Sequence, residues 1–189
     1  MAIILASASP RRAELLRMIG INDFKITPDT SAEEISTLLK PEETVLGLAT
    51  KKANNVSHFC EKGDIIIAAD TLVYLNGQPL EKPQCEKNAF HMLSSLSGKA
   101  HTVYTAIVVK EIGGKYVSCV DATKVFFRSL SENEIHDYIL TGEPMDKAGA
   151  YGAQGKGAVF IERIEGDFFT VMGLSICRLS LMLKEFDLK

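Results

Sequence analysis

The chain lacks several features that would assign it to common classes of protein. Its 189 residues carry 21 lysines and arginines against 24 aspartates and glutamates, and the missing positive excess argues against a nonspecific nucleic-acid surface. The four cysteines include no Cys-x-x-Cys pair, which argues against a zinc knuckle or disulfide framework and fits a reducing compartment. No apolar run is long enough to span a membrane. We therefore expect a cytoplasmic protein that binds neither nucleic acid nor a membrane.

The composition, 46% hydrophobic and 24% charged, is sufficient for one sizeable core or two small lobes. Predicted strands and helices alternate with short connections and without an internal repeat, which indicates an α/β fold. The periodicity predicts strands over 2–6, 21–28, 65–70, 103–109, 123–128 and 159–164. It predicts helices over 10–19, 41–59, 86–96 and 174–186, and one that ends near residue 140 after a capping box of Ser131 and Glu134.

Two adjacent arginines occupy the first turn of the first predicted helix. With Ser9 as N-cap and Pro10 as the first helical residue, Arg11 and Arg12 place positive charge at the positive end of the helix dipole. A phosphate on the free N–H groups and both guanidinium groups would compensate, at a strand end where ligands of open α/β sheets bind. The alternative is a pair of solvated arginines. If anion binding alone retains them, Arg12→Glu leaves the thermal midpoint unchanged or slightly raised while activity collapses.

The helix predicted over 41–59 carries a lysine within its apolar stripe. Lys52 falls inside this stripe, whereas Lys51 does not. A lysine on a buried face is costly unless its ammonium group is paired. Lys52 therefore either extends past the edge of the apolar face or reaches a carboxylate or a ligand phosphate.

The apolar run 65–70 ends in a carboxylate, a pattern typical of a central strand that delivers Asp70 at its C-terminal end. The following Asn76-Gly77 is a strong hairpin signal. A two-residue turn there predicts the cross-strand pairs Leu75 with Gln78, Val73 with Leu80 and Thr71 with Lys82. Lys82 would then return beside Asp70 and Thr71. The alternative is an ordinary surface ion pair.

A glycine-rich stretch covers residues 146–157. It is not a P-loop, because no serine or threonine follows its lysine and the glycine spacing differs. Such a stretch suits a tight loop or a close approach of the backbone to a ligand, and the pattern by itself leaves both open.

Several motifs occur together in one order. They are Ser-x-Ser-Pro-Arg-Arg-x-Glu-Leu-Leu at 7–16, Leu-Ala-x-x-Lys-Ala at 48–53, Ala-Asp-Thr at 69–71, Glu-Lys-Pro at 81–83 and Asp-Lys-Ala-Gly-Ala-Tyr-Gly-x-Gln-Gly at 146–155. In this order they resemble the Maf family, and the likeness spans almost the whole chain.

The resemblance implies a house-cleaning nucleoside triphosphate pyrophosphatase that forms one Maf-like domain of two lobes over 1–189. The implied fold is α/β and similar to inosine triphosphate pyrophosphatases, an elongated mixed sheet flanked by helices with a cleft between the lobes. The family uses Mg²⁺, Mn²⁺ or Co²⁺, commonly forms homodimers and is linked to septum formation and division arrest.

The resemblance also assigns residues to roles. The implied catalytic residues are Asp70, Lys82, Lys52 and Glu34, the implied metal ligands are Glu34 and Asp70, and the implied substrate-binding residues are Ser7, Arg11, Arg12, Thr71 and Gln154. Glu33 adjoins Glu34, and which of the two is the functional acid stays open. Ser175 stands where the family usually has proline, a change that bears on the start of the last helix more than on chemistry.

Arg11, Thr71 and Gln154 match the Maf branch that hydrolyses dTTP and UTP, whereas the branch preferring 7-methyl-GTP tends to have Trp, Gln and Glu there. A glutamine amide offers a donor and an acceptor, which suits the N3–H and carbonyl edge of uracil or thymine. The implied reaction releases pyrophosphate from dTTP, UTP or modified pyrimidine nucleotides. The alternatives are a noncatalytic nucleotide-binding regulator of cell division, a phosphatase that releases orthophosphate, and a 7-methyl-GTP pyrophosphatase.

Overall fold

The computed structural model describes residues 1–31, 35 and 38–188. The strands are β1 (Ile3–Leu5), β2 (Lys25–Ile26), β3 (Ile65–Leu75), β4 (Gln78–Leu80), β5 (Ala100–Glu111), β6 (Tyr116–Phe127) and β7 (Ile161–Glu165). The helices are α1 (Pro10–Met18), α2 (Pro41–Ser57), α3 (Glu86–Leu96), α4 (Glu132–Leu140), α5 (Phe168–Met172) and α6 (Ile176–Lys184). Short 3-10 helices cover Glu143–Asp146, Ala148–Ala150 and Lys156–Phe160. No helix within the described ranges has the length and apolar character needed to cross a membrane.

The strands form a mixed sheet in the order β2-β1-β3-β5-β6-β7, with β4 paired to β3. Strand β1 runs parallel to β2 and β3, whereas β4 is antiparallel to β3 and β7 is antiparallel to β6. The predicted α/β fold class is therefore confirmed. Strand β3 lies between β1 and β5, and every residue in it except Thr71 is buried. The run 65–70 thus belongs to a central strand, as the unbroken apolar pattern predicts. The prediction that Asp70 lies at the C-terminal end of this strand is wrong, because the strand continues into the hairpin with β4 and ends at Leu75.

Local signals place the starts of α1, α2, α3 and α4 correctly, whereas α6 begins at Ile176, two residues after its predicted start. Ser9 is the N-cap of α1 and Pro10 its first residue, while Ser131 and Glu134 form the capping box of α4. Glu134 Oε2 accepts a hydrogen bond from the Ser131 N–H at 2.9 Å. Helix α3 has the predicted bounds, and α1, α2 and α6 end one or two residues before their predicted ends.

The predicted strand lengths are wrong where hydrogen bonding rather than apolar pattern sets them. Strands β5 and β6 each have 12 residues and are neighbours in the sheet, so their pairing extends both beyond the predicted 103–109 and 123–128. Of the extended segment predicted over 21–28, only Lys25–Ile26 pairs with β1. The strand predicted from 159 begins at Ile161, because a 3-10 helix continues to Phe160. The sequence pattern predicts no helix at the position of α5.

The chain forms two compact units. The first unit comprises Met1–Asp70, Thr105–Asp121 and Gly173–Lys189, and the second comprises Thr71–Tyr104 and Ala122–Met172. Fully buried side chains of the first unit include Leu5, Leu15, Val45, Ile66 and Leu179. The second unit has its own apolar cluster, which includes Val73, Leu93, Val125, Ile135 and Phe160. Each unit therefore has a hydrophobic core.

The core of the second unit encloses a histidine. His101 is 2% exposed, and its Nε2 shares a hydrogen bond of 2.7 Å with the hydroxyl of Tyr151. The rings of Phe127 and Tyr151 meet the imidazole edge to face. Burial lowers the pKa of His101 from 6.5 to about 4, so the folded protein holds this imidazole neutral at physiological pH.

We expect His101 to make the fold sensitive to mild acid. Because its pKa is lower when folded, the unfolded chain binds more protons between pH 6.5 and about 4. The associated stability is fully present above this window and falls by roughly 3 kcal/mol as the pH drops through it. In His101→Gln, which can still bond Tyr151, the free energy of unfolding should decline less over the same range. Urea unfolding of both proteins from pH 4.5 to 7.5 measures this, and parallel pH profiles would contradict it.

Candidate active site

The turn between β1 and α1 is organised by the hydroxyl of Ser7. Ser7 is 7% exposed, and its Oγ accepts hydrogen bonds from the Ser9 N–H at 3.2 Å and from Arg12 Nη1 at 3.0 Å. Ser9 is the N-cap of α1, but its side chain makes no capping hydrogen bond. The serine that orders the turn is therefore Ser7.

The two arginines of this turn differ in their surroundings. Arg12 is only 9% exposed, and its Nε donates a 2.9 Å hydrogen bond to the carbonyl of Gly173, 161 positions away in the sequence. Gly173 comes shortly before Ser175, the buried N-cap of α6. Arg11 is half-buried. Arg12 thus joins the first helix to the start of the last one, and the premise that anion binding alone retains it is wrong.

Lys52 and Asp70 form a buried ion pair. Lys52 Nζ on α2 donates to Oδ1 of Asp70 on β3, and the side chains are 12% and 5% exposed. Of the alternatives predicted for this lysine, the structure therefore shows the contact with a carboxylate. The opposite charge of the ammonium group compensates the cost of burying the Asp70 carboxylate. Lys51 is exposed.

Ser7 and Asp70 both lie just past the last β1–β3 pair, Leu5 with Ile67. Strands β1 and β3 are parallel neighbours with Leu5 opposite Ile67, and the Ala6 N–H donates to the Ile67 carbonyl at 2.9 Å. Ser7 follows the end of β1, and Asp70 lies on the part of β3 beyond that end. The carboxyl edge of parallel strands is where open α/β sheets bind ligands.

Asp29 and Asn55 extend this region and were missed by the sequence analysis. The Asn55 amide lies one helical turn after Lys52 and donates to both Asp29 carboxylate oxygens, at 3.3 and 3.2 Å, and to Ser31 Oγ at 3.1 Å. Burial raises the pKa of Asp29, but hydrogen bonds from Ser31 and Asn55 and the charge of Lys52 lower it more. The signal for this contact was the Asp-x-Ser turn at 29–31. Glu33 and Glu34, which follow, lie outside the described residues.

The hairpin after β3 has the predicted turn but a shorter ladder. Leu75 pairs with Gln78 and Val73 with Leu80, as predicted. Strand β4 ends at Leu80, so the predicted Thr71–Lys82 pair is wrong. The reason is a competing contact, because the Glu81 carbonyl accepts a hydrogen bond from the Gly149 N–H at 3.2 Å. Lys82 is exposed in the second unit, and its approach to Asp70 stays a prediction.

The glycine-rich stretch is bound to two side chains that the sequence analysis did not select, Tyr138 and Glu143. Glu143 Oε2 accepts from the Lys156 N–H at 2.9 Å, and its Oε1 accepts from the Gly157 N–H at 3.2 Å and the Tyr138 hydroxyl at 2.8 Å. The Tyr138 hydroxyl accepts in turn from the Gly152 N–H at 3.1 Å. Gln154 is exposed between these attachments.

The predicted site residues thus fall into three groups. Ser7, Arg11, Arg12, Lys52 and Asp70 belong to the first unit, where Ser7 contacts Arg12 and Lys52 contacts Asp70. Thr71, Lys82 and Gln154 belong to the second unit. Glu34 lies outside the described residues.

The described part of the chain gathers no group of three or more His, Cys, Asp or Glu residues that could hold a metal ion. Of the two predicted metal ligands, it contains Asp70. Mg²⁺ is commonly bound through one or two protein carboxylates together with substrate phosphates. Asp70 supplies one such carboxylate, and its role as a metal ligand stays a prediction.

Comparison with known proteins agrees with this fold. The HAM1 protein from Coxiella burnetii superposes with a TM-score of 0.54 at 16% identity, over 98% of this chain and 99% of that one, a likeness that shows the fold alone. The family model described as Maf-like protein matches residues 2–186. The chain belongs to the Maf family, as its motifs predict.

Curated relatives match over nearly the full length. The dTTP/UTP pyrophosphatase of Carboxydothermus hydrogenoformans is 48% identical over 187 residues, which cover 98% of this chain and 99% of the relative. The dTTP/UTP pyrophosphatase of Bacillus velezensis is 46% identical over 188 residues, which cover 99% of this chain and 97% of the relative.

We expect Arg12 to contribute to stability as well as to binding. Arg12→Met removes the donors to Gly173 and Ser7 and should lower the free energy of unfolding by about 1–3 kcal/mol, the cost of leaving a buried carbonyl without its partner. Arg11→Met is the matched control and should lower it less, because Arg11 is more exposed. Urea unfolding monitored by circular dichroism compares them. Equal losses in the two variants would contradict a structural role specific to Arg12.

Proposed function

We propose that this chain hydrolyses dTTP and UTP, and base-modified relatives of these nucleotides, to the nucleoside monophosphate and pyrophosphate. The observation that carries the proposal is the arrangement of Ser7, Arg12 and Asp70, in which a turn that holds a buried guanidinium group and a buried carboxylate both follow the last pair of the parallel strands β1 and β3. The names of the relatives supply the substrate class.

In this proposal the turn after β1 binds the triphosphate. The hydroxyl of Ser7, the N-terminus of α1 and the arginines Arg11 and Arg12 offer donors and positive charge suited to phosphate oxygens. Because Arg12 is already held by Gly173 and Ser7, part of the entropy cost of ordering its side chain is met before the nucleotide binds.

Asp70 is the proposed general base. It takes a proton from a water molecule whose oxygen forms a bond to the α-phosphorus, while the bond from that phosphorus to the bridging oxygen breaks and pyrophosphate leaves. The ammonium group of Lys52 contacts this carboxylate and compensates the cost of burying its charge. Lys52 and Lys82 also stabilise negative charge that develops on the phosphates.

A divalent cation completes the proposal. Asp70 and Glu34 would hold Mg²⁺, Mn²⁺ or Co²⁺, which when bound polarises phosphate oxygens and neutralises their charge. The amide of Gln154 reads the base edge, with Thr71 as a further substrate contact. One functional domain over the whole chain, a homodimer and a cytoplasmic location are also part of the proposal.

The products distinguish this reaction from its alternatives. With dTTP or UTP and a divalent metal, anion-exchange chromatography should show nucleoside monophosphate and pyrophosphate in equal amounts. Accumulation of the diphosphate with orthophosphate would identify a phosphatase and rule out attack at the α-phosphorus. A panel that includes 7-methyl-GTP tests the other branch of the family, and binding without turnover of any triphosphate would identify a noncatalytic regulator.

Asp70→Asn should lower kcat by at least about 10²-fold with little loss of nucleotide binding, because an amide cannot act as a base. Lys82→Ala should act similarly if that lysine reaches the phosphates. Asp23→Asn is the control, since it makes the same chemical change at an exposed position of the first unit and should leave kcat unchanged. Steady-state kinetics and calorimetric nucleotide binding give both readouts. Near wild-type turnover in folded Asp70→Asn would make this carboxylate purely structural.

A further inference from the structure

The backbone on both sides of the exposed Gln154 is held by one pair of side chains. We call Glu143 and Tyr138 the carboxylate clamp. Tyr138 holds the backbone two residues before Gln154, through the Gly152 N–H. Glu143 holds it two and three residues after, through the N–H groups of Lys156 and Gly157. The clamp therefore fixes the backbone on both sides of Gln154, whose side chain is exposed.

Three of the four glycines of the stretch lie against the clamp. A Cβ atom on Gly155 would lie 2.3 Å from Glu143 Oε1, and one on Gly152 would lie 2.9 Å from the same oxygen. A Cβ atom on Gly157 would lie 2.8 Å from the Tyr138 hydroxyl oxygen. A side chain at any of these positions would therefore force Glu143 or Tyr138 to move. Of the alternatives left open by the sequence, the close approach at these three positions is thus made by a side chain of the same protein.

The clamp also has the charge state that its hydrogen bonds require. Burial raises the pKa of Glu143, but donors from Lys156, Tyr138 and Gly157 and the charge of Lys147 lower it more, so the carboxylate is ionised at neutral pH. Burial raises the pKa of Tyr138, so its hydroxyl keeps the proton that it donates. Hydrogen bonds to an ionised acceptor are stronger than neutral ones.

We propose that Glu143 is a positioning residue for nucleobase selection, which sets the place of the Gln154 amide by binding the backbone around it. This inference rests on the proposed role of Gln154 in reading the base. Glu143 itself touches no substrate in this assignment. Its contribution to selectivity passes through Gln154, and the two residues must therefore act as one unit.

A double-mutant cycle tests the coupling. The kcat/KM ratio of dTTP to GTP is measured for wild type, Glu143→Ala, Gln154→Ala and the double variant. Each single substitution should lower this ratio about tenfold or more, and the double variant should lower it no further than Gln154→Ala does, because residues that act as a unit are not additive. Asp137→Ala, an exposed acid on α4, is the matched control and should keep the wild-type ratio. Glu143→Gln, which retains one acceptor oxygen, should give an intermediate ratio.

Hydrogen exchange gives a readout that does not depend on activity. In Glu143→Ala the amides of Lys156 and Gly157 should exchange about tenfold or more faster than in wild type, while the slowest amides of β3, which report global unfolding, change less. A purely structural role would instead lower kcat for every nucleotide in proportion to the folded fraction and leave the selectivity ratio unchanged.

The outcomes separate this inference from the proposed function. Additive effects in the cycle, an unchanged ratio in Glu143→Ala, or an unchanged ratio in Gln154→Ala would each overturn the positioning role. If wild type prefers another triphosphate, the proposed substrate fails. The same cycle run with the preferred nucleotide, together with the exchange rates, then still decides whether Glu143 acts through Gln154.

Discussion

The first unit is built around a carboxylate that is expensive to bury. Asp70 lies on a strand whose other residues are nearly all apolar and inaccessible, and an uncompensated charge there would oppose folding. Lys52 supplies the opposite charge from the middle of α2, so helix and strand must pack in a register that brings the two groups together. Removing one partner of such a pair costs more than the pair contributes, because the other charge stays buried. The fold and the proposed chemistry therefore both depend on this contact.

Arg12 likewise combines contacts that hold the fold with a proposed role in binding. A guanidinium group has five N–H donors, and here one bonds the Gly173 carbonyl and another the Ser7 hydroxyl. An arginine fixed in this way is already oriented when an anion arrives, which favours binding. It also makes the turn after β1, the proposed phosphate site, dependent on the segment that leads into α6. Residues far apart in the chain thus share the task of shaping one turn.

In the second unit, an anion that belongs to the protein itself, the carboxylate of Glu143, orders the backbone. The carboxylate of Glu143 takes the backbone donors that a bound phosphate takes in a P-loop, and it fixes the glycine-rich stretch before any ligand is present. A Cβ atom at 152, 155 or 157 would collide with Glu143 or Tyr138 unless those side chains moved, so the close approach at these glycines is made by the protein itself. A glycine-rich pattern therefore indicates that some group lies close to the backbone, but it does not show whether that group is a ligand or a side chain of the protein.

Features that depend on neighbours in the chain were determined by the sequence. Ser9 and Pro10 begin α1, Ser131 and Glu134 cap α4, and Asn76-Gly77 makes the hairpin turn, since each signal acts over a few residues. The order of several such motifs also identified the family. Only the tertiary structure decided that Lys52 contacts Asp70 and that Arg12 bonds Gly173. It also decided that Glu81 bonds Gly149 instead of extending the hairpin ladder, and that Glu143 binds the glycine-rich stretch. These partners are distant in sequence or lie around an irregular loop, where no periodicity records them, and chain packing alone brings them within hydrogen-bonding distance.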